Sequence, residues 1–328
     1  MIDLRVDEVG PEAAPVVRDL IHAAFGARRR LDPPSTALAE TTESVAAALG
    51  RWGGLLCRVD GEPAGAVVFE DLGASLALRR VSVAPHFQVR GVATALVGVA
   101  EEVAAARGHD DVELAARVEL PETVVFWQRR GYAELSRFGS HIRLGKALPV
   151  EVVLRTAEAT RGLGEAVASL ARPGDVLLLV GELGSGKTTL TQGIGAGLKV
   201  RGDVTSPTFV ISRVHPSLAG GPPLLHVDAY RLGDEAELDD LDLDAYVDEA
   251  VTVVEWGEGI AEALSTQRLR VHLARAHGDE ETDESRVATV TPVGARWFGA
   301  AVRSTLLAQG SDHSGVMAPD LSDPSAVE

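Results

Sequence analysis

Cysteine, basic residues and long apolar runs are all scarce in this sequence. Cys57 is the only cysteine among 328 residues, so no intrachain disulfide can form and nothing indicates an oxidising compartment. No apolar run approaches the length that spans a bilayer, and residues 1–7 lack the basic-then-apolar order of a signal peptide. These absences predict a cytoplasmic protein without a membrane segment.

The charge balance is strongly acidic. The 31 lysines and arginines are outnumbered by 48 aspartates and glutamates, which gives a formal net charge of −17. Because such a charge repels nucleic acid at long range, we expect no dedicated DNA- or RNA-binding surface and favour protein partners. The length and the 45% of hydrophobic residues suit two domains, each with its own core.

The strongest local pattern is the glycine-rich turn of residues 181–188, Gly-Glu-Leu-Gly-Ser-Gly-Lys-Thr. It follows the apolar run 176–180 and precedes a helix-like segment. A Walker A spacing between a strand and a helix predicts a nucleotide-binding site. Gly181, Gly184 and Gly186 let backbone N–H groups converge on the β- and γ-phosphates. Lys187 would neutralise phosphate charge, and Thr188 offers a hydroxyl to Mg²⁺. The alternative is a turn that binds no ligand.

Two acidic residues lie at the ends of apolar runs in the same half. Asp228 ends the run 224–228, and Glu255 directly follows the run 250–254. Carboxylates at C-terminal strand ends point into the crevice of an α/β sheet, where they can coordinate Mg²⁺ or orient an attacking water. Alternatively, Asp228 caps a helix and Glu255 forms a salt bridge. With Lys187, these acids are the predicted catalytic set.

Four segments occur in the order and spacing of the TsaE (YjeE) ATPases, which the chain resembles over about residues 149–298. They are residues 181–189, 206–209, 226–232 and 254–256. The resemblance implies ATP and Mg²⁺ as cofactors, with Thr188 and Glu255 holding the metal and Asp228 as the catalytic or metal-organising acid. The nucleotide contacts that it implies are Gly184, Ser185, Gly186, Lys187, Thr188 and Thr189, with Trp256 beside the site, Thr160 near the base and Arg286 near the bound nucleotide.

That family assists synthesis of the threonylcarbamoyladenosine modification of tRNA. The resemblance therefore implies TsaB- and TsaD-type partners, through which the chain would meet tRNA only indirectly, in agreement with its acidic charge. The acidic stretch 234–249 is either a solvated amphipathic face or a partner-facing segment.

A second strand-turn-helix pattern lies in the first half. A predicted strand over residues 74–83 leads through Gln88-x-x-Gly91-x-Ala93 into a predicted helix over 94–107. This resembles the acetyl-CoA motif of the GNAT N-acetyltransferases, with Ala93 in place of the usual second glycine. The alternative is an α+β domain whose loop binds nothing. The acetyl-CoA contacts that the resemblance implies are Val81, Val83, Gln88, Val89, Arg90, Gly91, Val92, Ala93 and Thr94.

The catalytic groups of the GNAT-like half remain open. Trp127 stands where this family often has a tyrosine acid, and indole cannot supply the proton, while Leu120 stands where an asparagine is common. Tyr132 is expected to pack rather than to act as an acid. Glu70 and Glu113 are candidate bases or simply solvated carboxylates, and the amine acceptor is unknown.

The predicted fold class combines α/β and α+β domains. Residues 1–147 form a GNAT-like mixed sheet flanked by helices, and residues 148–298 form a P-loop NTPase-like sheet with helices on both faces. Residues 299–328 are an extension, largely disordered after about residue 307. Smaller expectations are a helix over 42–49 capped by Thr42, a helix over 164–170 and a strand over 210–214.

The main functional prediction is Mg²⁺-dependent ATP hydrolysis coupled to tRNA modification. One alternative is a protein N-acetyltransferase, for example of a ribosomal-protein amino terminus, with an accessory ATPase. The other is a binding protein in which both cofactor sites sense nucleotides without useful turnover.

Overall fold

The computed structural model describes residues 3–29, 31–231, 244–259, 264–275 and 285–311. The chain divides into two compact units, Met1–Leu148 and Pro149–Glu328, and each contains a seven-stranded sheet. None of the described helices combines the length and apolar character required to cross a bilayer.

The sheet of the first unit has the order β1-β2-β3-β4-β5-β7-β6. Its strands are β1 (Leu4–Val9), β2 (Gly54–Val59), β3 (Glu62–Asp71), β4 (Ser75–Val83), β5 (Asp111–Arg117), β6 (Ala133–Phe138) and β7 (His141–Ala147). Its helices are α1 (Ala14–Gly26), α2 (Thr42–Trp52), α3 (Val92–Ala106) and α4 (Pro121–Gln128). All neighbouring strands pair antiparallel except β4 and β5, so the sheet is mixed, as predicted.

The parallel contact between β4 and β5 is short. The strands pair only from Ser75 to Ala77 on β4 and from Asp111 to Glu113 on β5, although both continue well beyond these residues. On its other side, β5 pairs with β7 along its whole length. The separation of β4 from β5 therefore leaves a gap in the middle of the sheet.

One predicted helix cap is wrong by a residue. The side chain of Thr41, not Thr42, accepts a hydrogen bond from the Ser44 N–H at 3.1 Å, and the Thr41 N–H donates to Ser44 Oγ at 2.9 Å. This reciprocal pair is a capping box, which leaves Thr42 as the first residue inside α2.

The sheet of the second unit has the order β10-β11-β12-β9-β13-β14-β8. Its strands are β8 (Val150–Leu154), β9 (Val176–Val180), β10 (Ser212–His215), β11 (Leu224–Asp228), β12 (Val251–Glu255), β13 (Arg268–Arg275) and β14 (Arg286–Val293). Its helices are α5 (Ala157–Leu170), α6 (Lys187–Gly197), α7 (Asp244–Val247) and α8 (Val302–Ser311). The four central strands β11, β12, β9 and β13 are parallel, and β10, β14 and β8 are antiparallel to their neighbours.

The register of the parallel strands positions the acidic residues. Asp228 at the end of β11 pairs with Glu255 at the end of β12, which in turn pairs with Leu179 on β9. The strands are apolar and buried on both faces, as is typical of a parallel sheet covered by helices. The C-terminal ends of these three strands therefore meet at one edge, beside the glycine-rich turn.

Three other expectations need correction. The helix expected over 164–170 begins at Ala157, because the Thr156 side chain caps it by accepting from the Ala159 N–H at 3.1 Å. The strand expected over 210–214 is β10, Ser212–His215. Helix α8 continues through Ser311 with Leu306 fully buried, so the predicted onset of disorder near residue 307 is too early; residues 312–328 lie outside the described part.

Helices α5 and α6 approach closely through glycines. A Cβ on Gly193 would lie 2.0 Å from the carbonyl oxygen of Arg161, and one on Gly164 would lie 2.4 Å from that of Leu190. Only glycine permits this backbone-to-backbone contact. The contact brings the first turns of α5, including Thr160, against the glycine-rich turn, because α6 begins directly after it.

Candidate functional site

The glycine-rich turn connects β9 to α6 as predicted. Gly181, Gly184 and Gly186 have φ angles of +149°, +76° and +104°, in the region that side chains disfavour. Gly186 directly precedes the first helical residue, so the free N–H groups of α6 open towards the turn. Ser185 is buried within the turn, and its hydroxyl has no hydrogen-bond partner among the described residues.

Lys187 extends into the centre of the turn. Its Nζ donates to the carbonyl oxygens of Gly181 at 2.8 Å and Glu182 at 2.9 Å, and lies 3.7 Å from the ring centroid of Trp256. Burial lowers the pKa of Lys187 below its ordinary value, while the charges of Glu255 and Asp228 act in the opposite direction. The ammonium is therefore held by two carbonyls and one aromatic face.

The two predicted acids lie beside this lysine and are both buried. Glu255 accepts hydrogen bonds from the hydroxyls of Thr188 and Thr191, each at 3.1 Å, and from His226 Nε2 at 2.9 Å. The described basic partner of Glu255 is thus a histidine ring rather than a lysine or arginine, so the contact is an ion pair only when that ring is protonated.

Asp228 has a different set of partners. Its Oδ2 accepts from the hydroxyls of Ser206 and Thr208, each at 2.7 Å, and its Oδ1 accepts from the Tyr230 N–H at 3.1 Å. The helix-cap alternative therefore holds in part, because Oδ1 caps the short 3₁₀ turn that follows β11. Asp228 also joins the Ser206–Thr208 segment to the end of β11.

These groups surround a cavity of about 550 Å³. Its walls include nine of the predicted nucleotide or metal residues, namely Gly184, Gly186, Lys187, Thr188, Thr189, Asp228, Glu255, Trp256 and Arg286. Gly181 and Ser185 lie within the turn behind this surface. Thr160 is buried, with its methyl carbon 3.7 Å from the position of a Cβ on Gly186, so it supports the turn from the side of α5.

Several residues of the cavity and its surroundings carry roles that the sequence did not assign. Ser206 and Thr208 line the cavity, and Thr191 and His226 hold Glu255. The sequence contains a weak signal for Thr191 and for His226, namely their spacing from predicted site residues. Thr191 lies three residues after Thr188 on a helix, and His226 lies two residues before Asp228 on a strand, spacings that place side chains on one face.

The acetyl-CoA residues predicted in the first unit lie close together because they are close in the sequence. Val81 and Val83 lie at the end of β4, beside the gap, and residues 88–94 lead into α3. Val89 and Gly91 have φ angles of +63° and +82°, and Gly91 directly precedes the helix, so its N–H groups open to the loop. Arg130 donates to the hydroxyl of Thr94 at the start of α3.

A second cavity, of about 490 Å³, lies at the gap between β4 and β5. Its walls include Glu70 and Arg79, with Glu70 accepting from Arg79 Nε at 2.6 Å, and Ala115 of β5. Glu113, the other candidate base, is instead buried in an ion pair with Arg143 and does not line this cavity. The structure thus separates two carboxylates that the sequence left equivalent.

The tyrosine and the tryptophan of this unit both lie in its core. Tyr132 and Trp127 are buried and pack edge to face, with ring centroids 4.9 Å apart. Burial raises the pKa of Tyr132 well above its ordinary value, with a further contribution from Glu101. This placement matches a packing residue rather than a proton donor.

Known families match the two units separately. Residues 154–285 match the family described as "Threonylcarbamoyl adenosine biosynthesis protein TsaE", and residues 17–132 match the acetyltransferase (GNAT) family. A tRNA threonylcarbamoyladenosine biosynthesis protein TsaE from Streptomyces coelicolor is 60% identical over 143 residues, covering 43% of this chain and 96% of the relative. The chain belongs to the TsaE family. It carries a TsaE domain and a GNAT domain, so both predicted resemblances, and the enzymatic character of both domains, are confirmed.

A further relative and a crystal structure are also similar to this TsaE-family chain. The TsaE protein of Bacillus subtilis is 44% identical over 141 residues, which cover 43% of this chain and 84% of that protein. The crystal structure of Bacillus subtilis YdiB is 34% identical, covers 50% of this chain and 95% of that chain, and has a TM-score of 0.38. Family membership implies nucleotide binding by the second unit, and the GNAT match implies acyl-CoA binding by the first.

Proposed function

We propose that the second unit is an Mg²⁺-dependent ATPase that serves threonylcarbamoyladenosine synthesis on tRNA together with TsaB- and TsaD-type proteins. The observation that carries the proposal is the single cavity that joins the glycine-rich turn, Lys187 and the acids Asp228 and Glu255. Such a cavity offers cationic and N–H groups for phosphates and oxygen ligands for a metal.

The residues present fit a nucleotide-bound Mg²⁺ ion. The Thr188 hydroxyl and a Glu255 oxygen lie 3.1 Å apart at the cavity wall, and both are the hard oxygen donors that Mg²⁺ prefers. The described part of the chain contains no group of three or more histidine, cysteine, aspartate or glutamate side chains able to hold a metal alone. We therefore expect the ion to bind with the nucleotide, whose phosphate oxygens complete its coordination.

Each protein group then has a distinct role in hydrolysis. The N–H groups of the turn and Lys187 stabilise charge that develops on the transferred phosphoryl group, and bound Mg²⁺ would supply further neutralisation at the phosphates. We infer that Asp228, which accepts hydrogen bonds from Ser206 and Thr208, orients the attacking water. The ring of Trp256 covers the lysine and packs edge to face against Tyr230, with centroids 5.4 Å apart.

The surface near the cavity supports a protein partner. Leu183 and Tyr230 line the cavity yet are 84% and 65% exposed, and Phe209 and Val210, directly after Thr208, are 86% and 67% exposed. Large apolar side chains in such numbers near a site are typical of a protein-binding surface. In a chain with a net charge of −17, they favour TsaB- and TsaD-type proteins over direct contact with tRNA.

Reconstitution with TsaB- and TsaD-type proteins, tRNA and ATP tests this proposal. We expect Lys187→Ala to lower both ATP turnover and formation of modified tRNA by about 10²–10³-fold, because it removes a charge that stabilises the transition state. Arg201→Ala, which removes an exposed positive charge away from the cavity, is the matched control. Nucleotide binding without any turnover would favour the sensor alternative, and unchanged tRNA modification by Lys187→Ala would refute the proposal.

A second activity, transfer of an acetyl group from acetyl-CoA to an amine, is our proposal for the first unit. The gap between β4 and β5 supports it, because the loop before α3 directly follows β4, and the cavity beside Glu70 is lined by Arg79 of β4 and Ala115 of β5, beyond the residues where these strands pair. Of the two candidate carboxylates, we favour Glu70 as the group that accepts the ammonium proton, since it lines the cavity beside its partner Arg79, whereas Glu113 is buried with Arg143 and does not line the cavity.

Binding of acetyl-CoA provides the test for this unit. We expect Gly91→Glu to weaken acetyl-CoA binding at least about tenfold, because a carboxylate would enter an anion cradle. Gly98→Glu adds the same charge to an open, exposed position on the same helix and should change nothing. Because φ at Gly91 is +82°, circular dichroism must show that the variant is folded. Equal affinity in both variants would contradict the proposal.

A further inference from the structure

The carboxylate of Glu255 has two oxygens with unequal surroundings. Oε1 accepts from Thr191 Oγ1 at 3.1 Å and from His226 Nε2 at 2.9 Å, whereas the one donor to Oε2 among the described residues is Thr188 Oγ1 at 3.1 Å. A carboxylate oxygen has about two lone-pair sites. Two donors therefore fill Oε1, and Oε2 keeps one site open on the side of the Thr188 hydroxyl.

The two donors to Oε1 are not equivalent. The Thr191 hydroxyl has a single proton, and its oxygen lies 3.0 Å from the Lys187 carbonyl as well as 3.1 Å from Oε1, so that proton is shared between two acceptors. His226 is fully buried, and Glu255 is its one described side-chain partner. An ionised carboxylate only accepts hydrogen bonds, so the contact assigns the proton to Nε2. His226 is thus the dedicated donor to Oε1.

The sheet explains how His226 reaches Glu255. His226 pairs in register with Val253 on the neighbouring parallel strand β12, and Glu255 lies two residues beyond Val253. Side chains two residues apart on a strand share a face, so His226 and Glu255 project from the same face on adjacent strands. Asp228 lies two residues beyond His226 on β11, so His226 lies two positions before both acids along the strands and on the same face of the sheet.

We propose that His226 is a positioning residue for the metal site: it occupies Oε1 of Glu255 and thereby directs Oε2 to Mg²⁺ beside Thr188. This inference rests on the proposed Mg²⁺-dependent ATPase function. Without His226, the carboxylate retains only the shared proton of Thr191 on Oε1 and can rotate away from the metal. Hydrogen bonds to a metal-binding carboxylate contribute to metal affinity in just this way.

Binding of a non-hydrolysable ATP analogue to the full chain, titrated with MgCl₂ and compared with EDTA, isolates this role. We expect His226→Leu to raise the Mg²⁺ concentration needed for half-maximal tightening by about 10–100-fold. Affinity for the analogue in EDTA should stay within about twofold, since the turn and Lys187 are unchanged. His215→Leu is the matched control, because His215 is also buried in the same sheet but does not contact Glu255.

Two amide variants keep the proposal testable if His226→Leu does not fold. Glutamine can place an N–H near the position of Nε2, whereas asparagine is too short to reach Oε1. We expect His226→Gln to keep nearly the wild-type Mg²⁺ dependence and His226→Asn to lose it. Wild-type Mg²⁺ dependence in His226→Leu, or equal behaviour of the two amides, would overturn the inference. A wild-type chain that shows no Mg²⁺ effect would instead overturn the proposed ATPase function.

Discussion

The two loops that we propose to bind cofactors share a local design and differ in their surroundings. Gly186 and Gly91, with φ angles of +104° and +82°, each directly precede a helix. Next to Gly186, the ends of β11 and β12 bring two acids to the loop, together with a cluster of hydroxyls. In the first unit, β4 and β5 separate, and the candidate carboxylate that lines the cavity, Glu70, comes from β3. The geometry of each proposed anion-binding turn thus depends on residues close in sequence, whereas the positions of the proposed reactive groups depend on how the strands pair.

The largest expected effect concerns the acid of β12. Glu255→Ala removes the carboxylate that accepts from Thr188, Thr191 and His226, so we expect ATP turnover to fall by about 10³-fold. Phosphate release measures this, and acetyl transfer by the same sample should be unchanged. Glu258→Ala, an exposed acid three residues further on, is the control. A fall shared by both activities would mean that the two sites are not independent.

A smaller effect is expected for the equivalent change in the first unit. Glu70→Gln should lower the acetyl-transfer rate by about 10²-fold at neutral pH with little change in KM for acetyl-CoA, because it removes a base without altering the cradle. Glu113→Gln breaks the buried pair with Arg143, so it should lower thermal stability while sparing the rate. The reverse pattern would make Glu113 the base.

Two glycine-to-alanine substitutions in the helices behind the nucleotide loop should change the free energy of unfolding in opposite directions. Gly193→Ala would place a Cβ 2.0 Å from the Arg161 carbonyl, so we expect it to destabilise the chain by about 1–3 kcal/mol and to weaken nucleotide binding. Gly162→Ala, on α5 with open space around it, should stabilise it by about 0.5–1 kcal/mol. Urea unfolding measures both variants. Equal effects would show that the close contact of α5 and α6 is not needed.

The smallest effect concerns protonation of Lys187. Burial lowers the pKa of Lys187 in the folded chain below the ordinary 10.5. In the pH window between the folded-state pKa and 10.5, the unfolded chain therefore binds more protons than the folded chain. The free energy of unfolding should therefore rise with pH in that window, while ATP affinity falls as the ammonium loses its proton. Urea unfolding and ATP titration from about pH 8 to about pH 10, compared with Lys187→Met, measure both trends. A Lys187→Met variant with the same pH profile would contradict the assignment.

Features with strong local signals were predicted well. The turn of residues 181–188, its strand and its helix are local, because glycine spacing and apolar runs act over a few residues. Asp228 and Glu255 lie at the ends of β11 and β12, as predicted, and their chemical roles stay predictions. Strand β13 was missed, although it pairs with β9, because its alternating pattern carries no motif. The early start of α5 was missed because the cap at Thr156 was not recognised.

By itself, the sequence determined the two families, the two turns that directly precede helices and the acids that end β11 and β12, because these depend on residue type and short-range geometry. Only the tertiary structure decided which groups act together. It paired His226 with Glu255 across two strands, joined Ser206 to Asp228, and separated Glu70 from Glu113. The physical reason is that hydrogen bonds and burial depend on strand register and on side-chain direction, which residues distant in the chain set together.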